Sequence, residues 1–195
     1  AVGNRDLIRV LRYEKNRGKG GAIREGMKVA RNDIVFFMDI DLSVPLQFVD
    51  KFLEKFAESD ADIVISSRRA PGANIATHQS WVREQMGRVF TGLSMALVPG
   101  ITDFTCGLKA FRSKVGKILF SVGLVDDWSF DTEILYLAHR AACRIEELPV
   151  EWRHVPGSKV KAVSNALVCL YQLVAIPLRY RMGEYGALKC PIDRR

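Results

Sequence analysis

The chain has 195 residues, 48% of them hydrophobic and 26% charged, which is enough for one domain with a sizeable core and excludes a disordered or multi-spanning chain. Most of the formal charge of +7 lies between residues 151 and 195, where eight Lys/Arg face three Asp/Glu, so that end favours an anionic partner: a membrane surface, nucleic acid or a phosphorylated substrate. Cys106, Cys143, Cys169 and Cys190 show no C-x-x-C spacing and His78, His139 and His154 are scattered, which argues for free thiols in a reducing compartment and against a metal site built on histidines.

Residues 7–11 read as a short strand, 16–21 as a glycine-rich turn and 22–30 as a helix. The apolar run 34–38 reads as a buried parallel strand that stops at Asp39-Ile40-Asp41. Pro45 suits a first helical turn, and Leu46, Val49, Leu53 and Phe56 fall on one helical stripe. Residues 62–66 form another strand, so the order is that of an α/β fold with a mostly parallel sheet. The stretch from 70 to 80 reads as a loop, 81–97 as a helix, 101–112 as irregular and then extended, 131–143 as a helix and 145–152 as a strand. Residues 155–160 read as a turn with basic flanks. An apolar helix covers 162–180, interrupted by Pro177; its core, 166–178, is shorter than the roughly 20 residues a bilayer needs, which leaves an interfacial helix or one packed on the sheet.

Strand alternation would put Asp39 and Asp41 on one side with Ile40 pointing away. Two hard oxygen ligands at a strand's carboxyl end suit Mg²⁺ or Mn²⁺ holding a substrate's phosphates; solvated loop acids are the plain alternative. Gly18-Lys19-Gly20-Gly21 offers amides and an ammonium to phosphate but lacks P-loop spacing. Arg68 and Arg69 follow the next strand at the same edge, and Arg83 lies in the following helix; either could bind phosphate or be solvated. Asp103 to Lys109 reads as a bulge or a ligand-approach segment around Gly107, and Ser129, Asp131 and Glu133 as either helix-capping acids or site acids.

Taken in order, Asn16-x-Gly18-Lys19-Gly20-x-Ala22, Asp39-x-Asp41-Leu42-Ser43, Ser67-Arg68, Arg83, Asp103-x-x-Cys106-Gly107-x-Lys109, Phe130-Asp131-x-Glu133-Ile134 and Glu151-Trp152 followed by Gly157-Ser158-Lys159-Val160 resemble the family 2 glycosyltransferases of the GT-A fold. The branch they look most like is that of the dolichyl-phosphate β-glucosyltransferases, among the polyprenyl-phosphate sugar synthases. Phe104 and Leu108 depart from that branch's usual residues. Nothing matches the strands that hold the nucleotide base, which implies an N-terminally truncated chain.

The resemblance implies a GT-A, Rossmann-like catalytic domain over 1–160, with helices flanking a mostly parallel sheet, and a C-terminal amphipathic, membrane-associating helix and tail over 161–195. It implies a metal-dependent, inverting transfer of a hexose from a nucleotide sugar, UDP-glucose favoured, to dolichyl or polyprenyl phosphate at the cytosolic face of a membrane, where the protein is peripheral. In that reading Asp39 and Asp41 hold Mg²⁺ or Mn²⁺, and Asp41 and Asp131 are catalytic. Gly18, Lys19, Gly20, Asp39, Asp103, Cys106 and Gly107 contact the donor. Arg68, Arg83 and Lys159 bind the acceptor phosphate. Two alternatives stand beside it. One is a family 2 enzyme with a saccharide hydroxyl as acceptor and Asp131 as base. The other is a non-catalytic basic domain on anionic membranes, with no nucleic-acid motif to favour a nucleic-acid partner.

Overall fold

The structure, a computed structural model, describes residues 8–77, 81–155 and 162–192. Its elements are α1 (Gly18–Val29), β1 (Ile34–Met38), α2 (Phe48–Glu58), β2 (Ile63–Ser67), β3 (Asn74–Thr77), α3 (Trp81–Leu97), β4 (Leu108–Arg112), α4 (Ser113–Val122), α5 (Phe130–Arg140), β5 (Ile145–Pro149), β6 (Glu151–Arg153) and α6 (Ala162–Arg181). The main sheet has the order β1-β4-β2-β5. β2 and β5 pair in parallel, while β4 is antiparallel to both β1 and β2, so β1, β2 and β5 share one direction. A second, two-stranded ribbon pairs β3 with β6 in parallel.

Period-two alternation sorts the strands' side chains between two layers. Ile63, Ile65, Phe111 and Phe37 face a core built with Met27 of α1, Leu119 and Phe120 of α4, and Phe130, Ile134 and Leu135 of α5. Val64, Leu108, Ala110 and Phe36 face the opposite way, onto Phe48, Phe52 and Phe56 of α2 and onto Trp152. The stripe that α2 buries is therefore not the one expected. Leu46 and Leu53 are exposed, because presenting phenylalanine at 48, 52 and 56 removes more apolar area from water, at about 1.5–3 kcal/mol for each full burial.

Two further expectations are corrected. Residues 8–11 are not a strand: no strand among the described residues pairs with them, and Ile8 and Val10 lie exposed. α6 continues through Pro177 instead of being interrupted there. Ile176 and Leu173 are buried beside it, α6 packs along α3, and Tyr180 meets Tyr136 edge-on at 5.7 Å, so tertiary contact holds a helix that proline disfavours. The tail beyond α6 folds back: Tyr185 is buried and its hydroxyl donates to Glu133 Oε1 (2.8 Å), while the Cys190 amide donates to Ala141 O (3.0 Å). The 155–160 turn lies, apart from Val155, outside the described residues.

Candidate active site

β1 delivers Asp39 to the sheet edge where β4 begins, and the Asp39 amide donates to Gly107 O (2.9 Å). The strand ends at Met38, however, and a turn follows: the Leu42 amide donates to Asp39 O (3.1 Å), and Leu42 has a left-handed φ of 53°. Strand alternation therefore does not relate the two acids; the turn separates their duties. Asp39 is half-buried, with Oδ1 2.7 Å from Lys19 Nζ, whereas Asp41 is exposed and its Oδ1 accepts the Ser43 amide (3.0 Å). Gly107 makes room for Asp39: a Cβ built there would lie 2.6 Å from Asp39 Cγ and 3.0 Å from its Cβ.

Lys19 stands in the first turn of α1, 5.2 Å from the Trp128 ring centre and 5.6 Å from that of Phe130. Burial works against its charge, but Asp131, Asp39 and Asp41 outweigh that and raise its pKa, so it stays an ammonium. The glycines around it serve packing. The Gly18 amide donates to Asn16 Oδ1 (2.8 Å) and the Gly20 amide to Asp126 O (3.0 Å). A Cβ on Gly20 would meet Phe130 Cβ and Val125 O at 2.7 Å. Both amides are occupied within the protein, and glycine is required at both positions because α1 lies against the 125–130 segment.

Behind Lys19 a second ion pair is buried. Lys109 Nζ lies 2.7 Å from Asp131 Oδ1, donates to Cys106 O (2.9 Å), and sits 5.4 Å from the Phe37 ring centre. Burial pushes the Asp131 carboxyl up, against the pull of Lys109 and Lys19. Glu133, one turn into the same helix, faces away from the site and accepts the amides of Leu124 and Val125 (3.0 and 2.9 Å).

The third constellation follows β2. Arg68 grips Asp103 with both arms of its guanidinium, Nε to Oδ2 at 2.7 Å and Nη2 to Oδ1 at 2.8 Å. It also donates to Thr105 Oγ1 (2.9 Å) and lies 5.4 Å from the Trp152 ring centre. Burial alone would raise the Asp103 carboxyl; Arg68 overcomes it and holds Asp103 below the usual range. Glu147 of β5 fixes this loop by accepting the amides of Thr102 and Asp103, each at 2.9 Å, and the Thr102 hydroxyl at 2.7 Å. Asp103 therefore acts on Arg68, and close to both stands Cys106, expected to contact the donor. Its thiol is buried in the α2-side core and, by burial, pushed up to about 11.

The structure thus brings Lys19, Asp39, Asp41, Arg68, Asp103, Gly107 and Asp131 to one sheet edge. The side chain of Arg83 and the whole of Lys159 lie outside the described residues. The sequence motifs include Lys109 without giving it a role, and they do not include Glu147. A lysine in the otherwise apolar run Leu108-Lys109-Ala110-Phe111 was the available signal for the first.

The sequence profile of the family described as Glycosyl transferase family 2 matches residues 2–119. The dolichyl-phosphate beta-glucosyltransferase of Dictyostelium discoideum is 31% identical over 181 residues, 90% of this chain and 55% of that protein. The Homo sapiens dolichyl-phosphate beta-glucosyltransferase is 33% identical over 187 residues, 92% of this chain and 57% of that one. The chain therefore spans a little over half the length of the curated relatives it matches. Among solved structures, glucosyl-3-phosphoglycerate synthase from Mycobacterium tuberculosis in complex with UDP superposes with a TM-score of 0.60 at 16% identity, covering 82% of this chain and 55% of that one. The same enzyme with Mn²⁺, UDP and glucosyl-3-phosphoglycerate gives 0.57 at 16%, covering 91% and 56%. At these identities the likeness is one of fold.

Proposed function

The chain belongs to glycosyl transferase family 2, and from that premise we propose that it moves a hexose from a nucleotide sugar, UDP-glucose first, to dolichyl or another polyprenyl phosphate with inversion at the sugar. Its fold is that of the GT-A enzymes it superposes on. One observation carries the reading: an exposed acidic turn, a charged lysine and an arginine fixed by two hydrogen bonds meet at a single sheet edge. The names of the relatives support the donor sugar and the acceptor.

The acidic turn fits a divalent cation. Asp41 is exposed, Asp39 is aimed by Lys19 and Gly107, and their carboxylate oxygens are the hard donors that Mg²⁺ and Mn²⁺ prefer. A bound ion would supply positive charge to a departing diphosphate. The chain's own residues do the rest. Lys19 keeps its charge beside the donor, Gly107 leaves space for Asp39, and Asp103 sets the plane of the Arg68 guanidinium so that Arg68, with Arg83 and Lys159, receives the acceptor phosphate. A phosphate monoester, with a second pKa about 6, is already anionic near neutrality and needs positioning more than a base. Asp131 agrees with that chemistry, since Lys109 pins its carboxylate in place as a holder of ammonium groups. A saccharide hydroxyl as acceptor would instead need Asp131 free to take a proton.

The lipid acceptor also gives α6 a role. Leu167, Tyr171, Val174, Leu178 and Met182 recur at intervals of three and four and are all exposed, with Arg179 and Arg181 at the helix's end. In this proposal that face lies on an anionic membrane surface, on its cytosolic side. No helix among the described residues is long and apolar enough to cross a membrane.

Transfer from labelled UDP-glucose to dolichyl phosphate, with Mn²⁺ or with EDTA, tests the proposal. Asp41→Asn and EDTA are each expected to lower turnover by about 10²-fold or more, the scale of one lost electrostatic contact to the transition state. The melting temperature of D41N should stay close to wild type, because Asp41 is exposed. Wild-type transfer that is indifferent to EDTA and unchanged in D41N would overturn the assignment.

A further inference from the structure

At the end of the sheet opposite the acidic turn, three segments distant in sequence bring two thiols and a carboxylate together. Asp62 precedes β2, Cys143 precedes β5 and Cys190 lies in the tail beyond α6. One ligand atom from each, the two Sγ atoms and a carboxylate oxygen, lies within 4.8 Å of the others. Cys190 Sγ stands 3.4 Å from Asp62 Oδ2. In a tetrahedral zinc site, Zn–S about 2.3 Å and Zn–O about 2.1 Å place neighbouring sulfur and oxygen ligands about 3.6 Å apart. The Cys190–Asp62 separation already has that size, and the remaining separations need close by only about 1 Å.

The surroundings hold the ligands where they are. Asp62 is fully buried; its Oδ2 accepts the Arg144 amide (2.7 Å), and its own amide donates to Arg144 O (2.9 Å), which clamps the carboxylate between the approaches to β2 and β5. A carboxylate oriented by a backbone amide is the kind of supported ligand that metal sites use. The Cys143 amide donates to Ala138 O (2.9 Å), and Ala142 before it has a φ of 59°, a left-handed value unusual for a residue with a Cβ. The Cys190 amide donates to Ala141 O (3.0 Å), so the tail is already docked before any ion arrives. Cys143 and Cys190 are half-buried, which leaves the cluster reachable from solvent.

We propose that Asp62, Cys143 and Cys190 form a zinc site that fastens the C-terminal tail to the sheet, with water as the fourth ligand. Two thiolates select zinc over the hard ions suited to the Asp39–Asp41 turn, so the two sites are chemically distinct. Binding displaces the two thiol protons and creates two Zn–S bonds and one Zn–O bond, with no change of oxidation state. The spacing of these residues in sequence, 81 and 47 positions apart, carries no local zinc signature and conceals the site.

Reduced, metal-free protein titrated with Co²⁺ as a spectroscopic stand-in for zinc tests this. One equivalent should produce a thiolate-to-cobalt charge-transfer band that Zn²⁺ then bleaches, and Zn²⁺ should raise the melting temperature. Cys190→Ser and Cys143→Ser should each lose most of the band and the thermal shift, while Asp41→Asn keeps both, since a carboxylate pair gives no thiolate transition. Far-UV circular dichroism confirms that the serine variants are folded, and Asp62→Asn provides a third variant that leaves both thiols in place and should weaken binding. Absence of a thiolate band in reduced protein, or a band that survives unchanged in C190S, would overturn the site.

Discussion

Gly107→Ala separates the geometry of the acidic turn from the stability of the fold. The new Cβ would lie 2.6 Å from Asp39 Cγ, whereas carbons in contact rest about 3.5–4.0 Å apart, so the carboxylate must swing by about 1 Å. The fold can absorb this, because the obstructing atoms belong mainly to the end of a side chain. An off-rotamer Asp39 costs about 0.5–1.5 kcal/mol. The Lys19–Asp39 pair joins partly exposed groups, and its loss adds about 0–1 kcal/mol. The site is less tolerant: a displacement of about 1 Å in a positioning group lowers turnover by about 10²-fold, or about 2.7 kcal/mol of barrier. Gly26→Ala is the matched control. Nothing lies within 4 Å of a Cβ there, and alanine inside α1 should add about 0.5–1 kcal/mol of stability and leave turnover unchanged. Urea unfolding and glucosyl transfer over a Mn²⁺ titration measure both quantities. A G107A protein with wild-type turnover and wild-type metal response would refute the role given to this glycine and to Asp39.

Tyr185→Phe removes the hydroxyl that donates to buried Glu133; a hydrogen bond to a charged acceptor implies a loss of about 1.5 kcal/mol in urea unfolding with turnover retained, and an unchanged midpoint would contradict it. Asp103 gives a pH signature. Its carboxyl is held below the ordinary 3.8, so its contribution to stability is complete above that value and disappears as pH falls through the lower native value. Asp103→Asn, already less stable at pH 7 for want of the Arg68 pair, should show a shallower loss of stability on the acid side than wild type; parallel acid limbs would disprove the linkage.

The strands were legible where local pattern and burial coincide. The run 34–38 and the strand after Asp62 fill both faces of the sheet with apolar residues, and both are strands in the structure, but β1 is half-buried and pairs antiparallel with β4 where a buried parallel strand is expected. The antiparallel entry of β4 between β1 and β2 was not legible, because pairing partners are chosen by topology and leave no mark on Leu108 to Arg112. α4 leaves no reading in the sequence although Val115, Leu119 and Phe120 give it a buried face, and β3 is a correction to the loop expected over 70–80: of its residues Ile75 alone packs inward, beside Trp152 of β6. At the site, the acids at the end of β1 could be read but not the turn that separates them, since Leu42 adopts a conformation its side chain does not announce. Lys109 and Glu147 are harder still. Each is a charge whose partners, Asp131 and the Thr102–Asp103 amides, lie tens of residues away and become visible only when the strands are assembled.

The backward fold of the tail bears on how the protein loses its structure. Ile176 of α6 and Tyr185 beyond it belong to the same buried cluster as Phe130, Ile134 and Leu135 of α5. The C-terminal helix is thus not an appendage that can melt first and leave the sheet intact. Its departure would open the interior on which α5, and with α5 the Asp131–Lys109 pair, depends. Heat or denaturant should therefore meet a single cooperative unit, with far-UV and tryptophan signals vanishing together.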